Sequence, residues 1–109
     1  MSLELPTPIA AYFRAESGSD REAFARCFTQ DAVVIDEGNT YRGLEAVKRW
    51  KSETSAKFTY TCEPLAMEEK GGRTVVTCRL TGTFPGSPVD LRFLFGLEND
   101  KIASLEIVP

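Results

Sequence analysis

The chain has 109 residues, the size of one ordinary domain, and its 13 basic and 16 acidic residues leave a net charge of −3 with no block of either sign. That scatter argues against a nucleic-acid surface. Histidine is absent, which excludes Ser-His-Asp and Cys-His catalysis and any histidine-held metal or haem, so acid–base work falls to carboxylate, lysine, tyrosine or cysteine.

Thr7 and Pro8 open a first helix, the threonine as cap and the proline at a tolerated first-turn position. Ile9, Tyr12, Phe13 and Glu16 then recur at helical spacing, and Gly18 is placed to end the run. Ser19 with Glu22 three residues on is a capping box for a second helix, whose apolar face is Ala23, Phe24, Cys27 and Phe28. The β-branched run Ala32-Val33-Val34-Ile35 predicts a short strand ending in the turn residues Asp36-Glu37-Gly38-Asn39. Gly43 precedes a third helix with Leu44, Val47 and Trp50 on its buried face. Lys48, Arg49 and Lys51 read as its solvated flank.

Beyond Ser55 the period changes from helical to alternating. Phe58, Tyr60 and Cys62 begin a strand in which Pro64 predicts a bulge or an edge. Gly71-Gly72 predicts a hairpin into Val76, Cys78, Leu80 and Phe84. The turn Pro85-Gly86-Ser87-Pro88 leads to Val89, Leu91, Phe93, Phe95 and Leu97, and Glu98-Asn99-Asp100 turns the chain into a last strand from Ile102 to Val108. The predicted order is α-α-β-α-β-β-β-β. It specifies a single α+β domain over residues 1–109, with the helices on one face of a mainly antiparallel sheet.

Leu94 interrupts the polar face of Asp90 and Arg92, and Ile102 and Val108 fall opposite Leu105 and Ile107. The outer sheet face is therefore expected to be covered as well, by a second copy of the chain in a homodimer. Asp90, Arg92 and Glu106 are expected to form a cross-strand charge group. Cys27, Cys62 and Cys78 form no C-x-x-C pair, and their apolar neighbours make them small core hydrophobes of a reducing compartment. Apolar runs are too short to span a bilayer and no basic-then-apolar leader precedes the first helix, so the expected location is the cytoplasm, without membrane contact.

Two segments carry a resemblance. Phe28-Thr29-Gln30-Asp31-Ala32-Val33-Val34-Ile35-Asp36-Glu37-Gly38 and Tyr41-Arg42-Gly43-Leu44-Glu45-Ala46-Val47, with Trp50 beyond, resemble the signature of the nuclear transport factor 2-like superfamily. The likeness is to its SnoaL-like and ketosteroid-isomerase-like branch and, with the element order, covers roughly residues 8–108. It implies a cone-shaped roll with an apolar pocket for a small molecule, lined here from Tyr12, Phe13, Phe28, Trp50, Tyr60, Phe84, Phe93 and Phe95. It also implies a proton-shuttling carboxylate at Asp36 and an oxyanion-stabilising phenol at Tyr12. No cofactor or metal belongs to such a site. The isomerases carry a further acid on a late strand, where this chain has Arg92-Phe93-Leu94. Two readings therefore stand side by side: cofactor-independent isomerase or cyclase chemistry on a carbonyl compound, and a non-catalytic binding or dimerisation domain of the same fold.

Overall fold

A computed structural model describes residues 4–18, 20–57 and 59–109. The predictions resting on Ser19 and Phe58 lie outside those residues. Three helices, α1 (Thr7–Glu16), α2 (Arg21–Ala25) and α3 (Leu44–Lys57), cover one face of a sheet built from β1 (Phe28–Asp36), β2 (Asn39–Arg42), β3 (Tyr60–Lys70), β4 (Arg73–Gly82), β5 (Val89–Glu98) and β6 (Lys101–Val108). The sheet order is β2-β1-β6-β5-β4-β3, and every pairing is antiparallel except that of β1 with β6. The α+β roll expected from the sequence is thus the observed architecture.

Its differences from the predicted elements have local causes. The α1 N-cap is Pro6, which makes no side-chain cap, and Thr7 is already helical. Helix α2 is capped by Asp20, whose carboxylate accepts from the backbone N–H groups of Glu22 and Ala23. Phe28 lies in β1 rather than at the end of α2, and the strand continues through the polar Thr29-Gln30-Asp31 by way of a register shift against β6. Strand β2 is an addition to the predicted order. Asn-Thr-Tyr-Arg has no apolar alternation and is held by pairing Asp36 with Asn39 through Val33 with Arg42.

Three two-residue turns fold the meander. Each places two consecutive residues at positive φ, Glu37 and Gly38, Gly71 and Gly72, and Asn99 and Asp100, the geometry whose twist matches that of antiparallel strands. The bulge expected at Pro64 lies between Pro64 and Ala66. A third shift, between Gly96 and Leu97, turns Ile102 inward, so that Ile102 and Leu105 both reach the core despite their odd spacing.

The core sits between helices and sheet. Ile9, Phe24, Val34, Val47, Val76, Phe95 and Ile102 are fully buried, each large one contributing roughly 1.5–3 kcal/mol. Cys27 and Cys78 are buried, Cys62 is half-buried, and all three are free thiols. On the outer face the charge pairing differs from expectation. Arg79 chelates Asp90 at 2.9 and 3.2 Å and Arg73 reaches Glu106 at 3.3 Å, while Arg92 donates to the Pro109 carbonyl. Among the described residues no helix is long and apolar enough to cross a membrane.

Candidate functional site

A cavity of about 460 Å³ opens where the β1–β2 turn, the second half of α3 and the segment from Phe84 to Leu91 converge. Asp36, Glu37, Asn39 and Tyr41 form one wall, and Trp50, Glu53, Thr54 and Lys57 descend from α3. Tyr12 and Glu16 of α1 stand on another side, and Tyr60, Leu80, Phe84, Val89, Leu91, Phe93 and Ile107 supply the sheet side.

Asp36 ends β1, where strand alternation turns its side chain to the same face as buried Val34. The carboxylate is half-buried at the cavity wall, and Trp50 Nε1 donates to its Oδ2 at 3.0 Å. Burial raises its pKa above the ordinary carboxylate value. The Trp50 hydrogen bond and the Glu37 backbone N–H pull the other way, and the Glu37 charge adds to the rise. Asp36 is therefore a cavity carboxylate held by a side chain 14 residues on, with its turn supplying a lesser contact.

Tyr12 is 2% exposed and packs its ring against Phe13, Phe28 and Phe95. Burial, and after it the Glu16 charge, holds its phenol well above the usual value, so it stays protonated. Trp50, Tyr60, Phe84 and Phe93 reach the cavity. Phe28 and Phe95, expected on the lining, are fully enclosed behind Tyr12, and half-buried Phe13 packs against Phe93 and Phe95. These three pack on the Tyr12 ring and so stand behind the wall rather than on it.

Behind the wall Glu16, which lines the cavity, is paired with Lys51, which does not. Lys51, read from the sequence as solvated flank, is 3% exposed. Its ammonium donates to the Glu16 carbonyl at 2.9 Å, stands 3.7 Å from the Glu16 carboxylate, and lies 5.8 Å over the Phe24 ring and 5.7 Å over the Tyr60 ring. Desolvation lowers its pKa and Glu16 opposes the shift. Tyr60 feels the charge of both Glu16 and Asp36. Burial, then the Glu16 charge and hydrogen bonding to it, then Cys62, then the Asp36 charge hold its phenol protonated. The signal for Glu16 was its place on the apolar stripe of α1, and for Lys51 there was none beyond adjacency to Trp50. Among the described residues no group of three His, Cys, Asp or Glu side chains is arranged to hold a metal ion.

A family model for the SnoaL-like domain matches residues 9–105. The chain belongs to that family. Among solved structures it is similar to a candidate polyketide cyclase from Sinorhizobium meliloti, at 39% identity over 94% of each chain with a TM-score of 0.90. A protein of ketosteroid isomerase-like fold from Catenulispora acidiphila, solved with trimethylamine, is 20% identical over 97% of this chain and 87% of its own, at a TM-score of 0.83. The epoxide hydrolase/cyclase-like enzyme of salinomycin pyran-ring formation is 21% identical over 93% and 86%, at 0.77. The last two likenesses concern the fold. No curated protein matches the chain by sequence.

Proposed function

We propose that this SnoaL-like domain moves a proton on a small, largely apolar carbonyl compound, without a cofactor, with Asp36 as the shuttle and Tyr12 as the polarising donor. The observation that carries the reading is the half-buried Asp36 carboxylate, fixed by Trp50 at 3.0 Å on the wall of a cavity that Tyr12 also lines. In that arrangement Asp36 takes a proton from the carbon α to the carbonyl, and the C–H electron pair becomes the enolate π bond. Charge then grows on the carbonyl oxygen, to which a protonated phenol donates. The conjugate acid of Asp36 returns the proton to the same or a conjugated carbon, so the step balances with no outside acid. Burial serves both groups: it makes the carboxylate a stronger base and keeps the phenol a donor. Similarity to the Sinorhizobium meliloti protein, a candidate polyketide cyclase, supports cyclase-type chemistry.

The test is deuterium uptake at the α-carbon of a panel of small enolisable ketones, followed by NMR. Asp36→Asn is expected to lower the exchange rate by about 10²–10⁴-fold with folding intact. Tyr12→Phe is expected to lower it by roughly 10²-fold. An Asp36→Asn protein that exchanges at the wild-type rate would sink the assignment. One observation favours a second reading, of a binding domain without turnover: β5 contributes only Val89, Leu91 and Phe93 to the cavity, while Asp90 and Arg92 are turned outward, so no acid of that late strand stands on the cavity wall. Saturable ligand binding with no acceleration of exchange across the panel would select it.

A further inference from the structure

The charge of the cavity is unbalanced in one direction. Glu16, Asp36, Glu37 and Glu53 stand on its wall, against Lys57. Glu16 is answered by Lys51, whose ammonium is 3.7 Å away and almost wholly buried with it. The bond that Asp36 receives from Trp50 comes from a neutral N–H group, so the Asp36 charge is not neutralised by it. The same wall is aromatic. Tyr41 and Trp50 both line the cavity with ring centroids 6.4 Å apart and planes at 44°, Trp50 turning its N–H edge to Asp36.

Ring faces and carboxylates attract the same kind of group. Within this chain that preference is already expressed at Tyr60, which has the Lys51 ammonium over its ring. An anion entering the cavity would meet the acidic wall, and a wholly neutral apolar guest would strip water from Asp36 while offering it nothing. A compact cation with apolar substituents satisfies the carboxylate and the rings together.

We infer that the cavity takes a small organic cation, an amine or quaternary ammonium compound whose charged end lies against the corner of Asp36, Tyr41 and Trp50. The inference rests on the proposed function for its choice of working site and adds to the apolar carbonyl compound proposed there a cationic amine or ammonium group; binding of the cation itself does not depend on turnover. The two fit chemically. An ammonium beside Asp36 favours the ionised carboxylate, the form that accepts a proton, and a cationic substituent near a carbonyl makes the intervening C–H bond more acidic.

Trp50 is the chain's single tryptophan, so its fluorescence reports on this wall alone. The probes are choline, 3,3-dimethylbutan-1-ol, which has the same shape with carbon in place of the charged nitrogen, and the anion 3,3-dimethylbutanoate. Choline is expected to give a saturable change with a Kd in the range of about 0.1–10 mM. The neutral alcohol should bind about tenfold more weakly, and the anion should produce no saturable change. Asp36→Asn should abolish the preference for choline over the alcohol while leaving the alcohol's own affinity in place, which also shows that the variant is folded. Glu53→Gln, at the exposed rim, should weaken choline by about twofold through the lost long-range charge. Equal or tighter binding of the alcohol or the anion overturns the inference, as does no choline saturation by about 50 mM. Choline preference in a protein that exchanges no α-proton, either of the neutral ketones or of a ketone carrying a trimethylammonium group, would overturn the proton-transfer reading and leave this one standing. Ketone exchange without choline preference would do the reverse.

Discussion

At Asp36 burial and hydrogen bonding oppose each other, and burial wins. The carboxyl group titrates above its ordinary value of 3.8 in the folded chain although Trp50 and the Glu37 backbone both favour its ionised form. The linkage sign follows. The folded state holds this proton more tightly than the unfolded chain, so the stability it contributes is complete at low pH and is lost as pH rises through the folded value. Where the group is ionised, its desolvation counts against the folded state. Asp36→Asn keeps a carbonyl oxygen for Trp50 Nε1 and removes the charge. Thermal melts should show the variant melting about 2–4 °C above wild type at pH 7, with the gap closing below the ordinary carboxylate pKa. A lower melting temperature at pH 7 would mean that the carboxylate stabilises the fold where it stands. Exchange activity should run the other way, rising with pH as the base form appears.

At the scale of elements, Lys51 joins α3 to the end of α1. It caps the α1 carbonyl of Glu16 and pairs with that residue's carboxylate, with both side chains under a tenth exposed. Removing one partner of so enclosed a pair leaves an unanswered charge. Lys51→Met is therefore expected to lose about 3 kcal/mol in urea unfolding, and Glu16→Leu with Lys51→Met together should regain most of it. A double variant no more stable than the single one would show that the pair does more than neutralise itself. This clamp also marks where the sequence stopped being legible. Hydrophobic period and turn residues were enough for the three helices, the Gly71-Gly72 hairpin, the Pro64 bulge and Asp36 at a strand end, because those are local signals. Strand β2 has no such signal, for Asn39–Arg42 becomes a strand only by pairing with β1. Lys51 was illegible for a related reason. Helix α3 is embraced by β1 and β2 on one side and α2 on the other, so its buried arc is wide enough to enclose both Trp50 and its neighbour. Phe28 and Phe95 show the converse, since aromatic character does not say which side of Tyr12 a ring will occupy.

For the whole molecule, the remaining surface to account for is the sheet face turned away from the helices. Val33, Ile35, Leu94 and Val108 alternate outward there, and Val75 beside Leu94 is already 6% exposed in one chain. The exposed pairs Arg79–Asp90 and Arg73–Glu106 add little stability of their own, but they put both signs of charge on this face. A surface with apolar residues among both signs can meet its own copy across a two-fold axis without like charges facing throughout, which is the condition for an isologous dimer. A homodimer through this face is accordingly proposed. Sedimentation equilibrium at about 100 µM should return twice the chain mass, and Leu94→Glu should return the single-chain mass at the same concentration. A wild-type protein that sediments as one chain there would leave the outer face to solvent. The cavity lies on the helix side of the sheet, so separating the copies by Leu94→Glu should change neither ketone exchange nor choline binding. A loss of either on dissociation would mean that the second copy shapes the cavity from behind, through the strands that carry Asp36 and Phe93 on their inner face.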